Sequence, residues 1–126
     1  MKLALTVALA SLLFNGAAHA STDEIEVSTA VVCNTQKQVE EFVAFDNGDW
    51  QAAVRAVNVE ERDPSACAVA SIVFVRGHDT ATVRTGQATF RIAPILIIGV
   101  MTSAGMRTID APAVQFAPFK IDERPA

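Results

Sequence analysis

Apolar positions between residues 27 and 62 follow first the period of a strand and then that of a helix. The segment VSTAVV at 27–32 is typical of a short strand, because β-branched residues dominate it. From 34 to 45 the apolar residues fall on one helical stripe. From 50 to 62 they recur at i, i+3, i+4 and i+7, beginning with Trp50. Trp50 is therefore predicted to pack in the core, and stacking against a ligand is the alternative. The pattern predicts a strand followed by two helices.

Polar residues indicate where both predicted helices begin. Thr35 with Gln38 fits a capping box, and Asn34 is the competing N-cap. The sequence DNGD at 46–49 breaks the first helix, because Asn-Gly favours a turn. Its last residue, Asp49, is a good N-cap for the second helix. The two helices are therefore expected to follow each other through a short turn.

From residue 68 onward the pattern is that of β-strands. The strand candidates are AVASIVFV, ATVRT, ATFRIA, the continuous apolar run ILIIGVMT, MRTI and VQFAPFKI. Pro118 places the last candidate at a sheet edge or a bulge. Helices followed by strands favour an α+β fold. We expect an N-terminal helical hairpin packed on a bent antiparallel sheet of about five strands, which short strands and internal Gly and Pro allow to close as a small SH3-like barrel.

The first twenty residues are typical of a secretory signal peptide. Lys2 supplies a positive start, residues 3–14 form an apolar run, and small residues precede the expected cleavage point after Ala20. The apolar run is shorter than the ~20 residues that span a bilayer, so no membrane span is predicted. We expect a signal peptide at 1–20 and one globular domain at 21–126, located in the periplasm or secreted.

The charge of the exported part is mildly acidic. Loss of Lys2 leaves 9 of the 10 basic residues against 14 acidic ones, a net charge of −5. The acidic excess is spread out and no two basic residues are adjacent, which argues against a nucleic-acid or anionic-membrane partner. A protein or another cell-envelope component is therefore the favoured class of partner.

Cys33 and Cys67 are the only two cysteines of the chain, and both lie beyond the predicted cleavage point. In an oxidising compartment such a pair is expected to form a disulfide. Cys33 precedes the first predicted helix and Cys67 follows the second, so an antiparallel helical pair would bring them together. Two alternatives stay open: a helix N-terminus can activate a thiol for catalysis, and a redox protein would cycle the pair.

Other candidate chemistry centres on His78 and Asp79. His78 is the only histidine of the exported part, so a zinc site would need carboxylates as its other ligands, and we predict no metal and no cofactor. We assign no catalytic residue; the alternative is a small periplasmic hydrolase that uses His78 with a carboxylate. Phe116 and Phe119 lie in the last strand candidate, where an edge position would leave one ring available. The possible ligand or partner surface is therefore His78, Asp79, Phe116 and Phe119.

Three segments of the chain are similar to a known group of proteins. The segments VVCNTQKQVEEFVAF, ACAVASIVFVRG and ILIIGV resemble small exported bacterial proteins of unknown function. The resemblance implies export and a compact domain with one disulfide, and it carries over no catalytic residues. The favoured hypothesis is a small exported non-enzymatic domain that binds a protein or cell-envelope partner.

Overall fold

Two helices and a five-stranded antiparallel sheet make up residues 24–121, the part of the chain that this computed structural model describes. The elements in chain order are β1 (Ile25–Cys33), α1 (Gln36–Phe45), α2 (Trp50–Glu61), β2 (Cys67–Arg76), β3 (Ala81–Arg84), β4 (Thr89–Thr102) and β5 (Gly105–Lys120). The predicted α+β class is confirmed. The predicted signal peptide at 1–20 lies outside the described residues. Within 24–121, no helix is long and apolar enough to cross a membrane.

Both helices begin at the predicted capping residues. The Thr35 hydroxyl accepts the Gln38 N–H at 3.2 Å, while the Gln38 side-chain oxygen accepts the Thr35 N–H at 3.1 Å. These two bonds form a capping box in which each residue satisfies an otherwise unpaired donor of the other. At the start of α2, the Asp49 carboxylate accepts the Ala52 N–H at 3.1 Å. Local side-chain chemistry therefore fixes both helix starts.

Two predicted strand boundaries are wrong. ATFRIA and ILIIGVMT belong to one strand, β4, while MRTI and VQFAPFKI belong to another, β5. Pro94 does not end β4, because it lies between Ile92, the last residue paired with β3, and Ile95, the first residue paired with β2. Between these two residues β4 changes its partner from β3 to β2, so neither strand needs an N–H from residue 94. Proline, which has no N–H, is therefore tolerated there.

The sheet pairs β2 with β1 on one side and with β4 on the other. The β1–β2 ladder is continuous over nine residue pairs, from Ile25–Val75 to Cys33–Cys67. Strand β4 continues to β3 and β5, whereas β5 meets β1 only at the pair Cys33–Phe116. Strands β1 and β5 therefore separate from each other beyond that pair.

Two apolar clusters lie on opposite faces of the sheet. Side chains alternate along a strand, so the neighbours Val31 and Val32 belong to different clusters. The helix-side cluster consists of Val31, Cys33, Val39, Phe42, Val43, Ala53, Val54, Val57, Cys67 and Ile92. The opposite cluster consists of Val32, Ile72, Phe74, Ile95, Ile97 and Ala117. Each helix contributes one apolar stripe to the first cluster, as the sequence pattern predicts.

Cys33 and Cys67 form the predicted disulfide, with an S–S distance of 2.01 Å. They face each other across the β1–β2 ladder, and their exposed fractions are 0% and 2%. The bond joins residues 34 positions apart and encloses both helices. Strand register, in addition to the helical pair, therefore brings the two sulfurs together. With both sulfurs in the bond, no free cysteine occurs within residues 24–121.

Candidate functional site

A cleft with a volume of about 460 Å³ opens where β1 and β5 separate. Its apolar boundary is formed by Ala30, Val31, Phe42, Trp50, Phe90 and Phe119. The connection between the helices and the turn between β3 and β4 complete its rim. We call this feature the β1–β5 cleft.

The β1–β5 cleft lies between two strand edges. Four consecutive residues of β1, 28–31, contact it, as do three consecutive residues of β5, 118–120. Side chains of successive strand residues point to opposite faces. Consecutive residues can therefore share one boundary only where that boundary is the backbone edge of the strand.

The hydrogen-bond register identifies which backbone groups of β1 face the cleft. The Asn34 N–H donates to the Ala66 carbonyl directly opposite at 3.0 Å, so this is a hydrogen-bonded position. Hydrogen-bonded and non-hydrogen-bonded pairs alternate along an antiparallel ladder. The non-hydrogen-bonded positions facing β2 therefore include Val31, Thr29 and Val27. Their N–H and C=O groups point away from β2. Val31 is 2% exposed, whereas Thr29 and Val27 are exposed, and we call the edge at Thr29 and Val27 the open edge of β1.

Strand β5 presents a different edge to the same cleft. The Ile121 N–H donates to the Thr89 carbonyl at 2.9 Å, which sets the alternation between β5 and β4. Lys120 and Pro118 then face the cleft with their backbone groups. Opposite Ile92 in β4, Pro118 occupies a non-hydrogen-bonded position, so its missing N–H leaves no gap in the β4–β5 ladder.

Pro118 gives a physical reason for the separation of β1 and β5. Continuing the ladder from the pair Cys33–Phe116 would bring Pro118 opposite Val31, at the next hydrogen-bonded position. Proline has no N–H to donate, so the Val31 carbonyl would lose its partner there. The ladder stops after one pair, and the edge of β1 stays open.

Aromatic rings contact the cleft from both sides of the sheet. Phe42 and Phe90 pack with the helix-side cluster, while Phe119 packs with the opposite one. Trp50 is 44% exposed on the rim, so its predicted place in the core is wrong. It is the first residue of α2, directly after the Asp49 cap, and it lies beyond the buried part of the helix stripe. Its position in the first turn, directly after the N-cap, is the sequence signal that would have predicted an exposed ring.

His78 and Asp79 lie together in a second hollow of about 320 Å³, which we call the charged hollow. Arg76 donates a hydrogen bond to Asp79 Oδ1 at 2.9 Å, and Arg91 Nε lies 3.6 Å from Asp79 Oδ2. The Asp79 carboxylate thus pairs with two guanidinium groups, and no hydrogen bond joins it to His78. Among residues 24–121, no cluster of three or more His, Cys, Asp or Glu could hold a metal ion.

Arg76 connects the charged hollow to the cleft. Its guanidinium carbon lies 3.7 Å from the centroid of the Phe119 ring, a cation–π contact. Phe119 also packs against Phe74, with ring centroids 6.3 Å apart. Phe116 instead packs against the helix-side cluster. Of the sequence candidates, His78 and Asp79 therefore share the hollow, Phe119 contacts the cleft, and Phe116 contacts neither of them.

Glu41, on α1, is a carboxyl group with a shifted pKa outside both hollows. Its Oε1 atom is buried without a hydrogen-bond partner, and Lys37 Nζ lies 3.7 Å from its Oε2 atom. Burial raises the pKa of Glu41 above 4.5, and the neighbouring carboxyl of Glu61 raises it further by hydrogen bonding and charge. Lys37 acts in the opposite direction with a smaller effect. Lys37 Nζ also lies 3.9 Å from Glu61 Oε2, so it connects the carboxyls of the two helices.

No known protein family, curated protein or solved structure matches this chain. The resemblance to small exported bacterial proteins stays a prediction. The fold and the site define the class of the molecule as a small disulfide-bonded α+β domain with an aromatic cleft between two strand edges.

Proposed function

We propose that this protein is a small exported non-enzymatic binding domain, whose β1–β5 cleft receives apolar side chains of a protein or cell-envelope partner. One observation carries the proposal: β1 and β5 pair at a single position, and the space beside it has aromatic rings from both faces of the sheet. Its volume of about 460 Å³ falls within the range of roughly 300–1,000 Å³ that is usual for ligand sites.

The residues around the cleft favour binding over catalysis. Among residues 24–121, the only charged side chains that contact it are Asp46 and Lys120, and no histidine or cysteine of that range lies there. Asp46 Oδ1 already accepts the Gly48 N–H at 2.9 Å, which stabilises the turn between the helices. A nucleophilic mechanism needs a nucleophile beside a base, and this cleft offers no such pair. Apolar contact is therefore its main chemical capacity.

The proposal includes export to an oxidising compartment. A buried disulfide in a small domain supports a periplasmic or secreted location, because cytosolic thiols are usually kept reduced. Cleavage after Ala20 is part of this proposal and would release residues 21–126.

We also infer that the sheet closes as a small SH3-like barrel with the helical hairpin packed on one side. The successive ladders β1–β2, β2–β4 and β4–β5 support this closure, and the single pair Cys33–Phe116 would complete the ring. In such a barrel the β1–β5 cleft is an incomplete seam, which explains why it lies between two strands of the same sheet.

Site-specific photo-cross-linking tests the binding function. A photoreactive residue replaces the exposed Gln87 on the cleft rim, and in a matched control it replaces Val59, which is 77% exposed on α2 and not in contact with the cleft. Each variant is irradiated in an envelope extract of the producing organism. We expect one discrete cross-linked partner from position 87 and none from position 59. Equal products from both positions, or none from either, would contradict the proposal.

A further inference from the structure

We infer that the occupant of the β1–β5 cleft is an extended polypeptide segment that adds to the open edge of β1 as a further strand. The segment carries two consecutive apolar residues at the aromatic walls and a basic residue beside Glu24 and Glu26. This inference rests on the proposed binding function and names the chemistry of the partner. Three features carry it: the backbone edge, the positions of the rings and the charge.

The backbone of the open edge matches another strand. Thr29 and Val27 are exposed and each directs an N–H and a C=O away from β2, about 6.8 Å apart along the strand. A row of alternating donors and acceptors with this spacing is complementary to the backbone of an extended chain. An unpaired strand edge is a known template for strand addition. The edge therefore favours a polypeptide over a compact small molecule.

The aromatic rings set a requirement on the side chains of the added strand. A residue opposite Thr29 would direct its side chain to the helix-side face, where Phe42 and Phe90 pack. The next residue, opposite Ala30, would direct its side chain to the other face, where Phe119 packs. Apolar side chains at two consecutive positions would therefore both reach aromatic surface, whereas strict apolar-polar alternation would use only one wall.

The charge beside the open edge favours a basic residue on the partner. Glu24 and Glu26 lie at the start of β1 and contact the charged hollow, and neither forms an ion pair with any residue between 24 and 121. The two guanidinium groups of that hollow already pair with Asp79. Within residues 24–121 these two carboxylates thus have no ion-pair partner, and they lie three and five strand positions from Thr29. A Lys or Arg at that distance from the apolar pair would complement them.

A displayed peptide library and hydrogen exchange test the inference. A random nine-residue library is panned against residues 21–126, and the peptide selected most often is added to ¹⁵N-labelled protein. We expect the Thr29 and Val27 amides to exchange at least tenfold more slowly with the peptide bound. The Val32 and Ala30 amides already face β2, so they are internal controls whose exchange should change much less. N-methylation of the alternate peptide residues whose N–H groups face β1 should abolish binding. N-methylation of the residues between them, whose N–H groups face away from β1, should not.

The charge requirement has its own matched variants. Glu24→Gln with Glu26→Gln should weaken the selected peptide roughly two- to fivefold at low salt, the range of exposed ion pairs. Glu60→Gln, an exposed carboxylate on α2 that does not contact either hollow, should leave the affinity unchanged. Equal affinity for the double variant and the wild type would overturn the basic-residue requirement.

The outcomes separate this inference from the proposed function. Selected peptides that change Trp50 fluorescence but leave the hydrogen exchange of the Thr29 and Val27 amides unchanged would overturn strand addition and leave cleft binding intact. Failure to enrich any peptide, with a discrete cross-link still formed at Gln87, would also overturn strand addition alone. Absence of both peptides and cross-links would overturn the proposed function itself.

Discussion

Replacement of both half-cystines, Cys33→Ala together with Cys67→Ala, is expected to lower the free energy of unfolding by about 4 kcal/mol. The disulfide joins residues 34 positions apart, and the segment that it closes contains α1 and α2. The chain-entropy relation for a loop of this size gives roughly 12–13 cal/mol/K, which is about 3.8 kcal/mol at 25 °C. The small void left by two buried sulfurs adds to the loss.

This loss is large for a domain of this size. A chain of about 100 residues has a total stability of roughly 5–15 kcal/mol, so the variant would keep a fraction of it. Its melting temperature should fall by roughly 15–30 °C. The assay is urea unfolding of residues 21–126, followed by circular dichroism, for the variant and the wild type. The m-value should rise in the variant, because the unfolded chain without the cross-link exposes more surface.

Two results would refute the reasoning. A stability loss below about 1 kcal/mol would show that the loop is not a source of entropy in the unfolded state. A large loss with an unchanged m-value would place the effect in the native packing of the sulfurs instead. Wild-type protein kept in a reducing agent throughout the unfolding titration provides a control, because it lacks the cross-link but has no alanine substitution.

Two further substitutions test other parts of the structure. Pro118→Val restores an N–H opposite Val31, so the β1–β5 ladder should extend and the melting temperature should rise. The new amide of residue 118 should become protected from hydrogen exchange, and its rapid exchange would contradict the role of Pro118. Glu41→Gln should raise the melting temperature at pH 7. The raised pKa of Glu41 means that its protonated form stabilises the fold below pH 4.5 and that this contribution is lost as the pH rises through the folded-state pKa. An equal gain at pH 4 and pH 7 would contradict this cause.

Local chemistry made much of the fold predictable from the sequence. Thr35 with Gln38 and the acidic cap Asp49 need only their own segments to act, so both helix starts agree with the structure. The disulfide was predicted from the two cysteines and from the predicted oxidising compartment, and the structure contains it. The lengths of β4 and β5 were not predictable in this way, because the tolerance of Pro94 depends on where the partner strand changes.

The cleft depends on contacts that no single segment contains. Its edges come from β1 and β5, which are far apart in sequence and whose register determines that Pro118 falls opposite Val31. The sequence placed Pro118 at an edge or bulge but gave no partner for it. Trp50 followed the helical spacing of the core, and only the position of α2 beside the cleft shows that its ring is half exposed.

The cross-link between β1 and β2 also determines how this domain would respond to mechanical force. Tension applied to the chain ahead of Ile25 would peel β1 from β2 one residue pair after another, because an antiparallel ladder loaded at its end breaks in sequence. Peeling would stop at the covalent bond between Cys33 and Cys67. The enclosed helices would then bear no load. The segment between the two cysteines, about 115 Å long when extended, would not lengthen in a single-molecule pulling experiment until the disulfide is reduced.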